Sequence, residues 1–443
     1  MTDSGKQQKQ QMPRWRRLTA RWLVLTLRLA IGATFVYSGL VKLIDVWGIG
    51  YKIDNYIAAF HWTWAAPFAG IMSVALPLFE FLAGLMLAIG SFRRATVIAL
   101  TACMAFMLPL SAYIMATDPV PDCGCFGDAW VISNTATFWK NVALTAGLCY
   151  LLVRNRMLRS LYGPAVQWLT LTLPAVVALA IIAYGYYFQP MLDFRPYKIG
   201  TQLASADQED NDDDYRFVYE KDGLRQEFGI NNLPDSTWTF IDRIDADRQT
   251  ETSIHEASAI TAYDGDESVA DNLISPRGVT VLLLIPDIDD INSLTNFRLN
   301  DLNDHAAVSG YQMICLTGSD DKKLAEWREL SMADYPVYRM DDSQLKQIAR
   351  GNPAVVIVKD GRIAYKSSFL DFYDYFEEAT RGKTLNIKVY TDTVNDDEEL
   401  LYSLLIILAL AMATLLIVNR TPLMLKLIRM ARQPQAKKTS PRP

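Results

Sequence analysis

A chain of 443 residues with 51% apolar side chains and a mean hydropathy of +0.08 has room for two or three units and is too oily for an ordinary soluble protein. Its charge is split: positions 191–398 hold 41 acids against 21 bases, so that stretch sits near −20 and the remainder near +14, although the whole chain is only −6. This excludes a single soluble enzyme or a nucleic-acid binder as a description of the whole, because one part is composed for water and the other for a bilayer.

Six apolar runs reach the roughly 20 residues a bilayer crossing needs. They fall at about 22–45, 66–90, 95–117, 135–153, 165–189 and 400–418. The first is too long for a cleavable signal, carries Arg28 inside it and shows no Ala-x-Ala site before the next run, so it reads as an anchor. Lys and Arg collect in the N-terminal tail, at Arg93 and Arg94, at Arg154, Arg156 and Arg159, and after Arg420. Positive loops stay cytoplasmic, so both termini are expected inside, and the segment around 118–133 and the acidic stretch outside. In a bacterium this is an inner-membrane protein with its large domain in the periplasm. The expected fold class is a multi-domain membrane protein, an all-α bundle of six spans plus an α/β soluble domain. Residues 1–20 form a basic cytoplasmic tail, 21–155 a four-helix bundle, 160–190 the fifth span, 191–398 the acidic domain, 399–419 the sixth span and 420–443 a second basic tail. No broken or inverted-repeat spans appear, which argues against a small-molecule transporter.

The loop after the first run, Trp47 to Trp64, is rich in Tyr and Trp and suits a segment lying at headgroup level. Between the third and fourth runs stands Pro119-Val-Pro-Asp-Cys-Gly-Cys-Phe-Gly-Asp128. A disulfide wants Cα atoms about 4.4–6.8 Å apart, which residues two apart reach only in a bent backbone, and Gly124 permits the bend. Such a small ring is strained, and strain makes a disulfide a better oxidant. Cys123 and Cys125 are therefore candidates for cycling between dithiol and disulfide, supported by Asp122, Gly124, Phe126 and Gly127 of the same loop. Two other readings stay open: a loop staple or two unused thiols, and a metal site completed by His61, for which two cysteines and one distant histidine are a weak signal. Arg28, Lys42 and Glu80 are ionisable residues in the first two runs. At 1.5 Å per residue Arg28 lies about 25 Å and Glu80 about 21 Å from the outer ends, so an Arg28–Glu80 ion pair is expected. Either it locks the bundle or it handles protons beside a quinone. Cys103 and Cys149 read as apolar filler within spans, with a thiol relay into the membrane as the sharper alternative; Cys315 reads as core.

In the acidic stretch, Asp207 to Asp214 reads as a solvated linker and Tyr215 to Phe228 as a hairpin turning at Asp222-Gly223. Beyond it, Val279 to Ile285 is a buried strand and 290–307 a helix; Tyr311 to Leu316 is a strand and Asp320 to Met332 a helix. Pro336 to Met340 is a short strand and Ser343 to Arg350 a helix, and a hairpin turns at Lys359-Asp-Gly361. This order gives a mixed α/β sheet layered with helices.

Residues 20–155 resemble the DoxX and MauE-like membrane proteins. The likeness rests on Arg28-Leu-Ala-Ile-Gly-Ala-Thr-Phe-Val-Tyr-Ser-Gly-Leu-Val-Lys42 with Asp45, on Glu80-Phe-Leu-Ala-Gly84 with Gly90, and on Asp122-Cys-Gly-Cys-Phe-Gly127. The extension resembles Bacteroidota envelope proteins that fuse such a bundle to a soluble domain, through Phe194-Arg-Pro-Tyr-Lys-Ile-Gly200, Asp235-Ser-Thr-Trp-Thr-Phe240 and Asn352-Pro353. The resemblance implies maturation of disulfide-rich periplasmic enzymes or quinone-linked sulfur chemistry. Residues 270–380 resemble a thioredoxin fold in which Pro353 matches the cis-proline, while Ile285-Pro-Asp-Ile-Asp289 stands where the Cys-x-x-Cys belongs. Without thiols this domain cannot exchange disulfides, and Pro353 is left as a candidate peptide-binding position.

Two functions follow as expectations. One is a thiol–disulfide oxidoreductase acting through Cys123 and Cys125 on periplasmic or envelope client proteins, needing no cofactor but compatible with a quinone. The other is a non-enzymatic scaffold or accessory subunit of a larger envelope complex. Expected partners are clients, such a complex and the lipid bilayer, whose anionic face the basic C-terminal tail would contact.

Overall fold

A computed structural model describes residues 14–432 apart from 121, 205–214, 222–223, 230–233, 235–237, 246–259, 266, 270–272, 382 and 393–396. The acidic linker, the Asp222-Gly223 turn, Asp235 to Thr237 and the ends of both basic tails lie outside the described residues. The chain divides into two compact units, Met1–Tyr186 with Asp396–Pro443, and Tyr187–Asn395.

The first unit is helical. It contains α1 (Arg14–Ile44), α2 (Val46–Ala59), a 3-10 stretch at Thr63–Phe68, α3 (Ala69–Ile89), α4 (Arg93–Thr117), α5 (Asn134–Val153), α6 (Gln167–Tyr187) and a final helix, Asp397–Arg432. Six helices are long and apolar enough to cross a membrane: Leu18–Ile44, Thr63–Ile89, Arg93–Thr117, Asn134–Val153, Pro164–Tyr187 and Asp397–Thr421. Each coincides with one of the six apolar runs. The aromatic loop is itself helical: Asp45 caps α2, its carboxylate accepting from the Gly48 amide at 2.9 Å. That lets the chain restart one residue after α1 in a new direction.

α1 and α3 pack antiparallel at close range because small residues line their seam. A Cβ at Gly39 would fall 2.4 Å from the Phe81 nitrogen, one at Gly84 would fall 2.7 Å from the Phe35 Cβ, and one at Gly32 would fall 2.9 Å from the Ala88 Cβ. In a bilayer, where apolar burial drives little association, such close backbone approach supplies dispersion contacts instead. The seam also fixes register: Gly39 meets Phe81, Gly32 meets Ala88, and Arg28, about one turn further, meets the end of α3.

In the second unit β1 (Tyr215–Lys221), β2 (Leu224–Gly229) and β3 (Thr239–Asp245) form an antiparallel sheet in the order β2-β1-β3. Strands β4 (Ala262–Asp264), β5 (Glu267–Ser268), β6 (Val279–Ile285), β7 (Gln312–Thr317), β8 (Val337–Met340), β9 (Ala354–Lys359) and β10 (Arg362–Ser368) form a seven-stranded sheet. Its order is β10-β9-β6-β7-β8-β4-β5. The helices α7 (Ser293–Val308), α8 (Asp321–Ser331) and α9 (Asp342–Ile348) alternate with its strands. β6 runs parallel to β7 and antiparallel to β9. Its unbroken apolar sequence reflects burial on both faces: Val281, Leu283 and Ile285 enter one core, Leu282 and Leu284 the other. The segment after α6 is clasped to this sheet. Arg195 pairs with Asp193 at 2.7 Å, and Lys366 of β10 donates to Asp193 and to the carbonyls of Tyr197 and Ile348. Burial pulls the Lys366 ammonium down to about 8.

Gly39→Leu is expected to lower the melting temperature of the detergent-purified full chain sharply, since no rotamer clears the Phe81 backbone. Gly70→Leu, at a position with nothing within 4 Å, should leave it within the scatter of repeat melts. Equal effects would dismiss the close seam.

Candidate active site at the CGC loop

The loop joining α4 to α5 is held at three points by side chains that reach it from other helices. Lys52 of α2 sits 2.9 Å from Asp122 and 3.2 Å from Asp128, so one ammonium ties both ends of the CGC turn. Tyr56, one turn along α2, donates to the Cys123 carbonyl at 3.0 Å. Asn134, at the start of α5, donates to Asp118 at 2.6 Å and to the Val120 carbonyl at 3.0 Å. Within the turn, Asp122 accepts from the Gly124 amide at 2.6 Å and Gly127 donates to the Gly124 carbonyl at 3.1 Å. Gly124 has φ +63°, and a Cβ there would lie 2.6 Å from Lys52 Cδ. Backbone conformation and the lysine stem each require glycine.

This turn brings the two sulfurs to 3.1 Å, about 1 Å beyond a covalent S–S bond. Both thiols are free and partly buried. The Cys123 hydrogen bond pulls the Cys125 thiol down to about 6, assisted by the charges of Lys140 and Lys42 and opposed by burial. The Cys123 thiol is pushed up, first by that shared hydrogen bond and then by burial. The pair is thus differentiated, Cys125 shifted toward thiolate and Cys123 away from it, the asymmetry that favours attack by one sulfur of a dithiol. Phe126, next in the turn, packs its ring against those of Tyr37 and Trp130, with the Lys140 ammonium 4.5 Å from its centroid.

Beneath the loop lies the intramembrane charge. Lys42 contacts both carboxylate oxygens of Glu80, at 2.9 and 2.8 Å, and both side chains are 7% exposed. Ser38, one turn before Lys42, places its hydroxyl 2.7 Å from Glu80 and 2.6 Å from the Cys125 carbonyl. The expected Arg28–Glu80 pair is not formed. Arg28 donates instead to the Ala88 carbonyl at 3.0 and 2.7 Å and to the Arg159 carbonyl at 2.6 Å, covering the exposed carbonyls at the C-terminus of α3. The reason is register: the seam sets Gly39 against Phe81 and Gly32 against Ala88, which brings Glu80 to the Ser38–Lys42 turn and leaves Arg28 facing the far end of α3.

A cavity of about 180 Å³ unites these groups: Cys123, Cys125, Lys42, Glu80 and Lys140 all line it, with mostly apolar walls. Cys103 lines the same cavity, so one of the two cysteines read as filler belongs to the site, whereas Cys149 is exposed and Cys315 fully buried. His61 is not among the lining residues, and among the described residues no group of three or more His, Cys, Asp or Glu is arranged to hold a metal. In the second unit the Asn352–Pro353 peptide is cis. Asn352 donates to the Asp287 carbonyl at 2.8 Å, which places Pro353 beside the Ile285–Asp289 segment. Sequence reasoning missed Ser38, Lys52, Tyr56 and Lys140. The available signal was two i, i+4 pairs, Ser38 with Lys42 and Lys52 with Tyr56, each presenting two polar groups on one face of a helix.

Residues 20–154 match the family described as methylamine utilisation protein MauE. They form a MauE family membrane region. Residues 214–246 match a domain of unknown function (DUF8463) and coincide with the three-stranded sheet. No curated protein and no solved structure matches the chain. The MauE region therefore contains the CGC turn, its helical supports and the Lys42–Glu80 pair, and ends one residue past α5.

Removing either partner of a buried ion pair strands the other charge and costs about 3–5 kcal/mol. Lys42→Ala and Glu80→Ala are each expected to reduce folded yield severely, with Lys42→Glu plus Glu80→Lys recovering part of it; Arg28→Glu with Glu80→Arg should recover none. The second test is chemical. The contact with Cys123 holds the Cys125 thiol below its ordinary value, so its alkylation by iodoacetamide in a Cys123→Ala background, where that contact is gone, should titrate at higher pH than in the intact pair. Identical midpoints would show that Cys123 does not tune its neighbour.

Proposed function

We propose that the chain is a bacterial inner-membrane thiol–disulfide exchanger whose CGC loop faces the periplasm and serves the maturation of envelope proteins. The observation that carries this reading is the 3.1 Å approach of Cys123 and Cys125 with one thiol shifted toward thiolate. A dithiol client attacks the oxidised loop at one sulfur, breaking the CGC disulfide and forming a mixed disulfide. The client's second thiolate then displaces it, leaving an oxidised client and a reduced Cys123–Cys125 pair. Each cycle moves two electrons from client to loop, and the two protons leave the client's thiols.

Orientation in this reading follows the distribution of Lys and Arg. With six crossings, the CGC loop and the second unit fall on the same side of the membrane, where disulfides persist. The second unit is read as a thioredoxin-like domain that presents clients rather than oxidising them. The strand order β7-β6-β9-β10 and the position of Pro353 support that fold. Its one described cysteine, Cys315, is sealed in the sheet, which supports a non-exchanging role. A peptide could add along the backbone near Pro353. The family name, methylamine utilisation, fits a maturation role without naming this chain's client.

Thiol trapping in cells expressing the full chain is expected to find Cys123 and Cys125 in both dithiol and disulfide forms, with the ratio shifting under reductive stress. Cys123→Ser with Cys125→Ser should leave envelope disulfide proteins reduced. Normal client oxidation in that double variant would reduce the protein to a scaffold in which the loop is only a brace.

A further inference from the structure

The two cysteines of the CGC turn are anchored to different surroundings. Tyr56 of α2 donates to the Cys123 carbonyl at 3.0 Å. The Cys125 carbonyl instead lies 2.6 Å from the Ser38 hydroxyl, which also contacts Glu80 of the buried ion pair. Cys125 is therefore the cysteine tied to the bundle interior, and the charges of Lys140 and Lys42 act on its sulfur. Its partner sulfur is 3.1 Å away.

Both cysteines line the cavity of about 180 Å³, and a cavity of about 150 Å³ accepts a molecule the size of benzene. Asn141 of α5 lines it too and is only 4% exposed. Its backbone carbonyl accepts from Thr145, but among the described residues its side-chain amide has no partner. Buried polar groups are seldom left unpaired, and one that is calls for a reason such as a role in chemistry. The amide and the Lys140 ammonium, one residue before it, thus stand at a cavity whose walls include the apolar Phe35, Leu76, Met104 and Leu144. A few placed polar groups in an apolar space are the makings of a small-molecule site.

The polar groups present decide which molecule. A nucleophilic sulfur, a second thiol within reach and cationic or amide donors nearby are the parts that cleavage of an O–O bond uses. The sulfur attacks one oxygen, the donors stabilise the other as charge develops on it, and the second thiol closes a disulfide before oxidation goes further. We infer that this cavity is a hydroperoxide site at which Cys125 is oxidised and Cys123 resolves the product. In the first step an S–O bond forms at Cys125 and the O–O bond breaks; the departing oxygen takes up the proton given up by the Cys125 thiol and leaves as water or an alcohol. In the second step the Cys123 sulfur attacks the Cys125 sulfenic acid, the S–S bond forms, the S–O bond breaks and water departs with the Cys123 proton. The pair loses two electrons and the hydroperoxide gains them. The inference rests on the thiol-exchange reading above and adds the oxidant that returns a client-reduced loop to its disulfide.

The test uses the full chain reconstituted in lipid nanodiscs, reduced, freed of reductant and kept anaerobic. Separate samples receive diamide, hydrogen peroxide or cumene hydroperoxide, and the loop disulfide is followed by thiol trapping and mass spectrometry. The expected result is one hydroperoxide consumed per disulfide, at a rate per thiolate at least tenfold above that of free dithiothreitol, with dimedone capturing a sulfenic acid at Cys125 in Cys123→Ser. Asn141→Leu should lower that rate at least tenfold, and Lys140→Met serves the same purpose should the first variant fail to fold. A faster reaction with hydrogen peroxide assigns the free oxidant, and a faster one with cumene hydroperoxide assigns an organic source such as oxidised lipid. Disulfide formation with diamide, but with both hydroperoxides no faster than the free dithiol, would overturn the hydroperoxide site and leave the exchanger standing. No loop disulfide with any of the three would overturn both. Dimedone capture at Cys103 in place of Cys125, or an undiminished rate in both cavity variants, would put the oxidation elsewhere and overturn this site.

Discussion

A carboxylate inside a helical bundle stays ionised only when a cation and hydrogen bonds replace the water it has lost, and the contact of Glu80 with Lys42 and Ser38 is the constraint on which this molecule's site depends. The contact requires α1 and α3 to approach closely, which the glycines of their seam allow. It also requires a register that brings residue 80 opposite residues 38 to 42. The same Ser38 hydroxyl reaches the Cys125 carbonyl, so the position of the thiol loop is referred to the ion pair through one side chain. Seam, ion pair and loop form one connected structure, and a change at any of them is felt by the sulfurs.

α2 is the second support. At 14 residues it is too short to cross a bilayer, and it comes so soon after α1 that its polar face lies over the thiol turn. Lys52 closes the turn from both ends and Tyr56 holds its middle. A lysine whose stem packs on Gly124 while its ammonium binds Asp122 and Asp128 fixes the turn from outside, and the positive charge acting on Cys125 comes from Lys140 and Lys42. The result is a thiol pair that is preorganised rather than merely adjacent in sequence.

The second unit is organised on different terms. Its central strand is buried on both faces, its cysteine is inaccessible, and its attachment to the segment that follows α6 is a buried cluster of Asp193, Arg195 and Lys366. Four of the five cysteines thus lie in the MauE region, and the fifth, Cys315, is sealed in the second unit's sheet. That division agrees with the charge split in the sequence, where the acidic stretch carries the solvated fold and the basic ends flank the spans.

The six spans, the strand and helix order of the acidic stretch and the presence of a CGC turn were all legible from the chain, because hydropathy over 20 residues, alternation along a strand and a glycine between two cysteines are local properties. The partner of Glu80 was not. Depth counted from helix ends holds only if those ends are level, and they are not: α3 runs past the end of α1. The glycine seam between α1 and α3 sets the register, giving Glu80 to Lys42 and Arg28 to the end of α3. Nor could the chain alone say that Cys103, 20 residues before Cys123, shares a cavity with Cys123 and Cys125, or that Lys52 and Tyr56 reach over the loop. Those contacts depend on how helices lie against one another, and side-chain packing between elements distant in sequence is settled only when all of them are in place.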